Sequence, residues 1–197
     1  LGFSDLQADI AQELIRAGVS VMVFNHRSVS GIFDMMKTLG AMVGAGDSAQ
    51  TLIDECRQNL ERARARARSP RPRVYFEEWD DPLICGIEWV SEIIEIAGGI
   101  DVFKEKARGR SATERIVSAD EIADLSPDVF LASWCGKPFD LNAVLGRQEL
   151  QKIPAIQKHN IYEIPPEIII GMFIFFEKFI VSLILGPVFV PSLLISV

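Results

Sequence analysis

The stretch Val19 to Phe24, reading VSVMVF, most constrains what this chain can fold into. A run this apolar cannot leave one face in water, and it predicts a buried strand in a parallel sheet covered on both faces. Its flanks agree. Leu6, Ile10, Leu14 and Ala17 recur along one helical face; Ser4 can cap that helix and Gly18 can end it in a C′ position. Beyond the run, Ser28 or Ser30 can open a helix carrying Ile32, Met35, Met36 and Leu39. Helix, strand, helix in that order is a fragment of an α/β layer.

The longest uninterrupted helical pattern follows, from Asp47 to about Arg68. Leu52, Ile53, Cys56 and Leu60 line one side, and Ser69-Pro70-Arg71-Pro72 stops it. Arg62, Arg64, Arg66 and Arg68 alternate with alanine, and alternate residues do not share a helix face. They predict a solvated helix, not a basic stripe. The composition changes here, which places a lobe boundary in this region.

A second α/β unit begins at Val74. Val74 to Glu77 reads as a short strand, followed by the acidic turn Glu78-Trp79-Asp80-Asp81-Pro82. Ile87, Val90, Ile94 and Ala97 mark a helix that Gly98-Gly99 ends. Ser118 with Glu121 three residues on predicts a capping box. That helix leads through Ser126-Pro127-Asp128 into a strand at Val129 to Ala132. Leu141 to Leu145 reads as a short helix and Ile161 to Ile164 as a final strand. From Ile168 to Val197 only Glu177 and Lys178 are charged. That stretch is open to three readings: a membrane segment, a buried core element or an aberrant C-terminus.

Composition narrows the function classes. With 49% apolar and 24% charged residues the chain can build a real core. A net charge of −7 does not favour nucleic acid. Cys56, Cys85 and Cys135 are far apart and form no CxxC pair, so neither a zinc signature nor a complete disulfide framework is present. The chain starts at Leu1 without a visible signal segment, as expected of a processed chain or a fragment.

Ligands of open α/β sheets sit beyond the carboxyl ends of strands. Three segments occupy such ends. Glu77 to Pro82 offers Trp79 as a flat apolar platform and Glu78 and Asp80 as hydrogen-bond acceptors, or else it is a solvated turn. Ser133 to Phe139 offers Trp134 and Lys137, with Trp134 either facing the same cleft as Trp79 or serving as partial core. Asn25-His26-Arg27 follows the predicted Val19 to Phe24 strand. One acidic turn has too few oxygens for a hard cation. Cys135 lacks a recognisable Cys/His motif, so no catalytic residue is assigned.

Val74 to Leu83, the helix Gly86 to Ala97, Gly98-Gly99 with Val102-Phe103, and Ser118 to Val129 together resemble the second lobe of cobalamin-binding proteins. Those are substrate-binding components of ABC importers of the iron-siderophore/vitamin B12 group, class III periplasmic binding proteins. Leu1 to Phe24 is similar to the later part of that family's first lobe. The resemblance covers about Leu1 to Glu167. It implies two Rossmann-like lobes joined by a long helix, with the first lobe truncated at its N-terminus. The divisions would be 1–46 for the rest of lobe one, 47–70 for the connecting helix, 71–167 for lobe two and 168–197 for the apolar segment.

The resemblance further implies binding without chemistry: a cobalamin or related corrinoid or siderophore held between the lobes, with no cofactor. Phe3, Asn25, Trp79 and Trp134 match cleft-facing places. Asp5 and Glu163 or Glu167 are candidates to dock on ABC permease subunits, which implies a periplasmic or extracellular, membrane-associated location. Two alternatives stay open: a tetrapyrrole- or metal-handling enzyme of the chelatase-like scaffold using His26 with Glu77 or Glu78, and an interaction or membrane protein using the apolar tail.

Overall fold

The computed structural model describes residues 5–67, 69–134, 136–165 and 169. The expectations for Phe3, Cys135, Glu167 and nearly all of 168–197 lie outside the described residues, as does that for the side chain of Asp5. Among the described residues no helix is long and apolar enough to cross a membrane.

Strand β1 (Arg73–Asp80) forms the centre of a five-stranded sheet. Strand β4 (Val129–Ala132) lies parallel to it, pairing Val74 with Val129 through Glu77 with Ala132. Strand β5 (Ile161–Glu163) lies parallel outside β4. The other side of β1 is shared. Its first residues pair parallel with β3 (Ile100–Asp101), and its last residues form a hairpin with β2 (Leu83–Cys85). A register shift between Glu77 and Trp79 marks where the hairpin begins.

Period-two alternation sorts β1 and β4 onto two cores. Val74, Phe76, Val129 and Leu131 face α2 (Val29–Met42), α3 (Gly46–Arg66) and α4 (Glu88–Ile96), meeting Phe33, Ile53, Leu60, Val90 and Ile94. Tyr75, Phe130 and Ala132 face the opposite layer. There α5 (Ala119–Leu125), α6 (Leu141–Leu145) and α7 (Pro154–Gln157) supply Ile122, Val144 and Ile156. The sheet is thus covered on both faces, which is the layering that the near-continuous apolar character of these strands requires.

Local signals place the helix ends. Ser28 caps α2 by accepting the Gly31 N–H. Gly98 takes φ +93 after α4, with Gly99 N–H on the Ile94 carbonyl and Gly98 N–H on the Glu95 carbonyl, a Schellman motif. Helix α1 (Asp5–Arg16) ends the same way at Gly18, where φ is +78. The capping box of α5 is complete: Ser118 Oγ accepts the Glu121 N–H, and Glu121 accepts the Ser118 N–H.

Two expectations are corrected. Val19 to Phe24 is not a strand. All five described strands fall between Arg73 and Glu163, so this segment has no strand beside it to complete a ladder. Val19, Met22 and Val23 remain exposed, as do Ile10, Leu14 and Ile15 of α1. The acidic segment Glu78 to Asp80 is not a turn. It continues β1, and the reversal is confined to Asp81-Pro82 because Leu83 to Cys85 returns as a strand.

Replacing Ser118 with Ala should destabilise the protein by about 1 kcal/mol in urea unfolding, the usual worth of a serine cap. Glu121 titrates below the ordinary glutamate range, first because Lys106 donates to it and then because the Ser118 N–H does. A depressed folded value means its stabilisation is present above the unfolded value and lost as pH falls through the folded one. The stabilities of wild type and Glu121→Gln should therefore converge on acidification.

Candidate functional site

Each acid at the end of β1 meets a cation from elsewhere in the chain. Glu77 is fully buried. Its Oε2 accepts from Arg147 at 2.6 Å and from the Tyr75 hydroxyl at 3.1 Å. Its Oε1 accepts from the second Arg147 nitrogen and from Trp134 Nε1, each at 3.1 Å. Burial pushes the Glu77 carboxyl up, against the pull of Arg147, Tyr75 and Trp134. Burial lowers the Arg147 guanidinium, but the carboxylate more than offsets that and leaves it above its ordinary value.

Glu78 points to the other neighbourhood. Arg115, 3% exposed, donates to both its oxygens at 2.5 and 3.0 Å and to the Cys85 carbonyl at 2.6 Å. Asp80 pairs with Lys137. The Lys137 ammonium lies over the Trp79 ring at 4.8 Å and over the Trp134 ring at 4.9 Å. Trp79 is half-buried and donates its Nε1–H to the Asp81 carbonyl.

The segment before α2 reaches toward this end of the sheet. Arg27 donates to the carbonyls of Gly109 and Arg110, in the loop leading to Arg115. Burial, then the like charge of Arg115, lower the Arg27 guanidinium. His26 is half-buried, and burial holds its imidazole below the usual value. Asn25 is exposed.

The structure therefore brings Glu78, Trp79, Asp80, Trp134 and Lys137 together at the carboxyl ends of β1 and β4. Their roles differ from the expected ones. Glu78 and Asp80 hold cations of the chain itself and are not free acceptors. Trp134 is 2% exposed, packed by Phe139 at 5.0 Å and by Lys137, so it is core and presents no open face. The metal-handling alternative needed Glu77 or Glu78, and arginines hold both. Among the described residues no three of His, Cys, Asp and Glu gather to hold a metal ion. Glu163 stands half-buried at the end of β5, paired in register with Ala132.

Sequence reasoning missed Arg115 and Arg147. They lie 37 and 70 positions from their partners, so no local pattern links them. One signal was available: an acid at a core-facing position of a central strand demands a buried cation.

Glu77→Ala should cost about 3–5 kcal/mol in urea unfolding, because it strands Arg147 and the Tyr75 and Trp134 donors. Burial raises the Cys56 thiol and pushes that of Cys85 up to about 12, and both are about 1% exposed. Native protein treated with iodoacetamide should leave Cys56 and Cys85 unmodified by peptide mass spectrometry, with both reacting after unfolding.

Comparison with known proteins agrees with this architecture. A curated relative, an uncharacterized ABC transporter substrate-binding lipoprotein YvrC of Bacillus subtilis (strain 168), is 24% identical over 168 residues, or 82% of this chain. The chain spans about half of that relative, 52% of its length. Three solved structures share the fold. An ABC transporter substrate-binding protein from Listeria monocytogenes EGD-e superimposes with a TM-score of 0.75 at 16% identity, over 92% of this chain and 74% of that one. IsdE of S. aureus complexed with heme gives 0.72 at 16% identity, over 94% and 76%. The periplasmic heme-binding protein RhuT from Roseiflexus sp. RS-1 gives 0.72 at 18% identity, over 89% and 69%. The family model described as periplasmic binding protein matches residues 1–168, and this chain belongs to that family.

Proposed function

We propose that this chain is the ligand-capturing part of a substrate-binding protein that serves an ABC importer outside the cytoplasmic membrane. Its ligand is a metal chelate of the corrinoid, tetrapyrrole or siderophore class. The family match over residues 1–168 carries the reading. The sequence resemblance favours cobalamin, while two of the structurally similar proteins bind heme. Heme and the corrin ring each present a broad face, which an aromatic ring at a strand end suits, and a siderophore chelate would use the same ring as a contact surface beside polar groups.

On this reading the ligand meets the protein beyond the carboxyl ends of β1 and β4, where Trp79 is half-buried, and Asn25, His26 and Phe3 contribute further contacts to it. Glu78, Asp80, Lys137 and Trp134 shape that surface through their mutual contacts. On this reading residues 71–167 are lobe two, with α2 and the connector 47–70 packed on its sheet, and the part of 1–46 before α2 belongs to lobe one. Asp5, Glu163 and Glu167 present acids to the permease.

Equilibrium titration with cyanocobalamin, hemin and a ferric hydroxamate siderophore, followed by tryptophan quenching, tests the proposal. Saturable binding of at least one is expected, weakened about three- to tenfold by Trp79→Ala, as loss of one aromatic contact predicts. Failure of all three to bind would overturn it.

A further inference from the structure

We propose that Lys137 is a built-in latch. Its ammonium occupies the space between Trp79 and Trp134, and a planar ligand must displace it to stack on Trp79. The inference rests on the reading of this strand end as the ligand surface.

The register of the sheet creates the arrangement. Glu77 of β1 lies opposite Ala132 of β4, and a tryptophan follows two residues later on each side: Trp79 in β1 past its register shift, and Trp134 just beyond β4. Both belong to the same core face. Each indole is fixed at its edge, Trp79 by the Asp81 carbonyl and Trp134 by Glu77. Fixed edges leave only the ring faces to be covered. Lys137 covers both at 4.8 and 4.9 Å, and Asp80, 14% exposed, anchors the ammonium there. Two indole faces and a carboxylate around one ammonium make a complete cation site, filled from within the chain.

The occupant is held more loosely than its frame. The Lys137 side chain is 37% exposed, and its stem has four rotatable carbons. It follows Gly136, which is exposed at φ +94 with nothing within 4 Å of where a Cβ would stand. The ammonium itself stays partly in water, which weakens its hold on the rings, and a ligand covering the Trp79 face gains more contact than the ammonium gives up. Glu77 and Arg147 cannot act this way, because both are locked in a buried bidentate pair.

Two measurements test the latch. In protein carrying 13C-labelled lysine, the Lys137 ε-methylene resonance, assigned by its loss in Lys137→Arg, should lie upfield of the other lysines through the ring currents of two indoles. It should return toward them when ligand is added. An unshifted resonance in the ligand-free protein would overturn the latch whatever the binding data. Lys137→Ala should bind the best ligand of the three-ligand titration about tenfold more tightly, since the competing cation is gone, and Lys137→Arg should remain near wild type. A lysine that only supported the site would give weaker binding on removal, and equal or weaker binding by Lys137→Ala overturns the latch alone. Absence of binding by both wild type and Lys137→Ala overturns the ligand reading and the latch with it.

Discussion

A carboxylate with no solvent contact sits at the end of the central strand, and the site around it is arranged to keep it there. Glu77 belongs to β1, whose neighbours Tyr75 and Phe76 are equally buried. An isolated charge at that depth would be untenable. Four hydrogen bonds from three side chains make it tenable: two from Arg147, one from Tyr75 and one from Trp134. Those donors come from β1 itself, from the residue two beyond β4 and from the turn after α6. The carboxylate thus ties the sheet to the helical layer on one face and fixes Trp134 in its orientation. Lys137 rests on Trp134, and Trp79 lies under the same ammonium. The surface at this strand end therefore depends on a buried ion pair beneath it.

Much of this was legible in the sequence, and what was legible shares a cause. Helix ends were read from chemistry acting within one turn: Ser28, the Ser118–Glu121 box, Gly18 and Gly98. Each is a satisfied backbone group, and each appears in the structure. Strands β1, β4 and β5 read from the sequence as short strands at Val74 to Glu77, Val129 to Ala132 and Ile161 to Ile164, and each appears, β1 extended to Asp80. The hairpin at Asp81-Pro82 was missed because Glu, Trp and Asp resemble a turn when only polarity is considered. The register shift after Glu77 lets those polar residues continue the strand while turning their side chains toward cations.

The pairing of those acids could not be read. Composition shows more acids than bases, and a strand end rich in acids suggests ligand acceptors. Arg115, Lys137 and Arg147 answer them one by one. None is signalled by spacing, because parallel β-topology brings distant positions together only after the sheet has formed. The same logic explains why the tryptophans were half understood. Their common strand-end position was visible in the sequence, but the burial of Trp134 depends on Phe139 and Lys137 folding back over it.

The segment Val19 to Phe24 shows the limit from the other side. Its composition is that of a buried strand, yet a strand is a property of a pair. In the sheet spanning Arg73 to Glu163, β1 is engaged along both edges. Among the described residues Val19 to Phe24 pairs with no strand of that sheet, while Arg27 just beyond anchors the chain to the Gly109 and Arg110 carbonyls. That anchor, with the Val29 N–H on Glu92, fixes where α2 begins and so how Phe33 enters the core. The apolar character of residues 19–24 is then a demand for cover that the described sheet does not meet. By contrast, at the carboxyl ends of β1 and β4 the demands of buried charge and aromatic edge are met within the chain, leaving the ring face under Lys137 as the contact most easily exchanged.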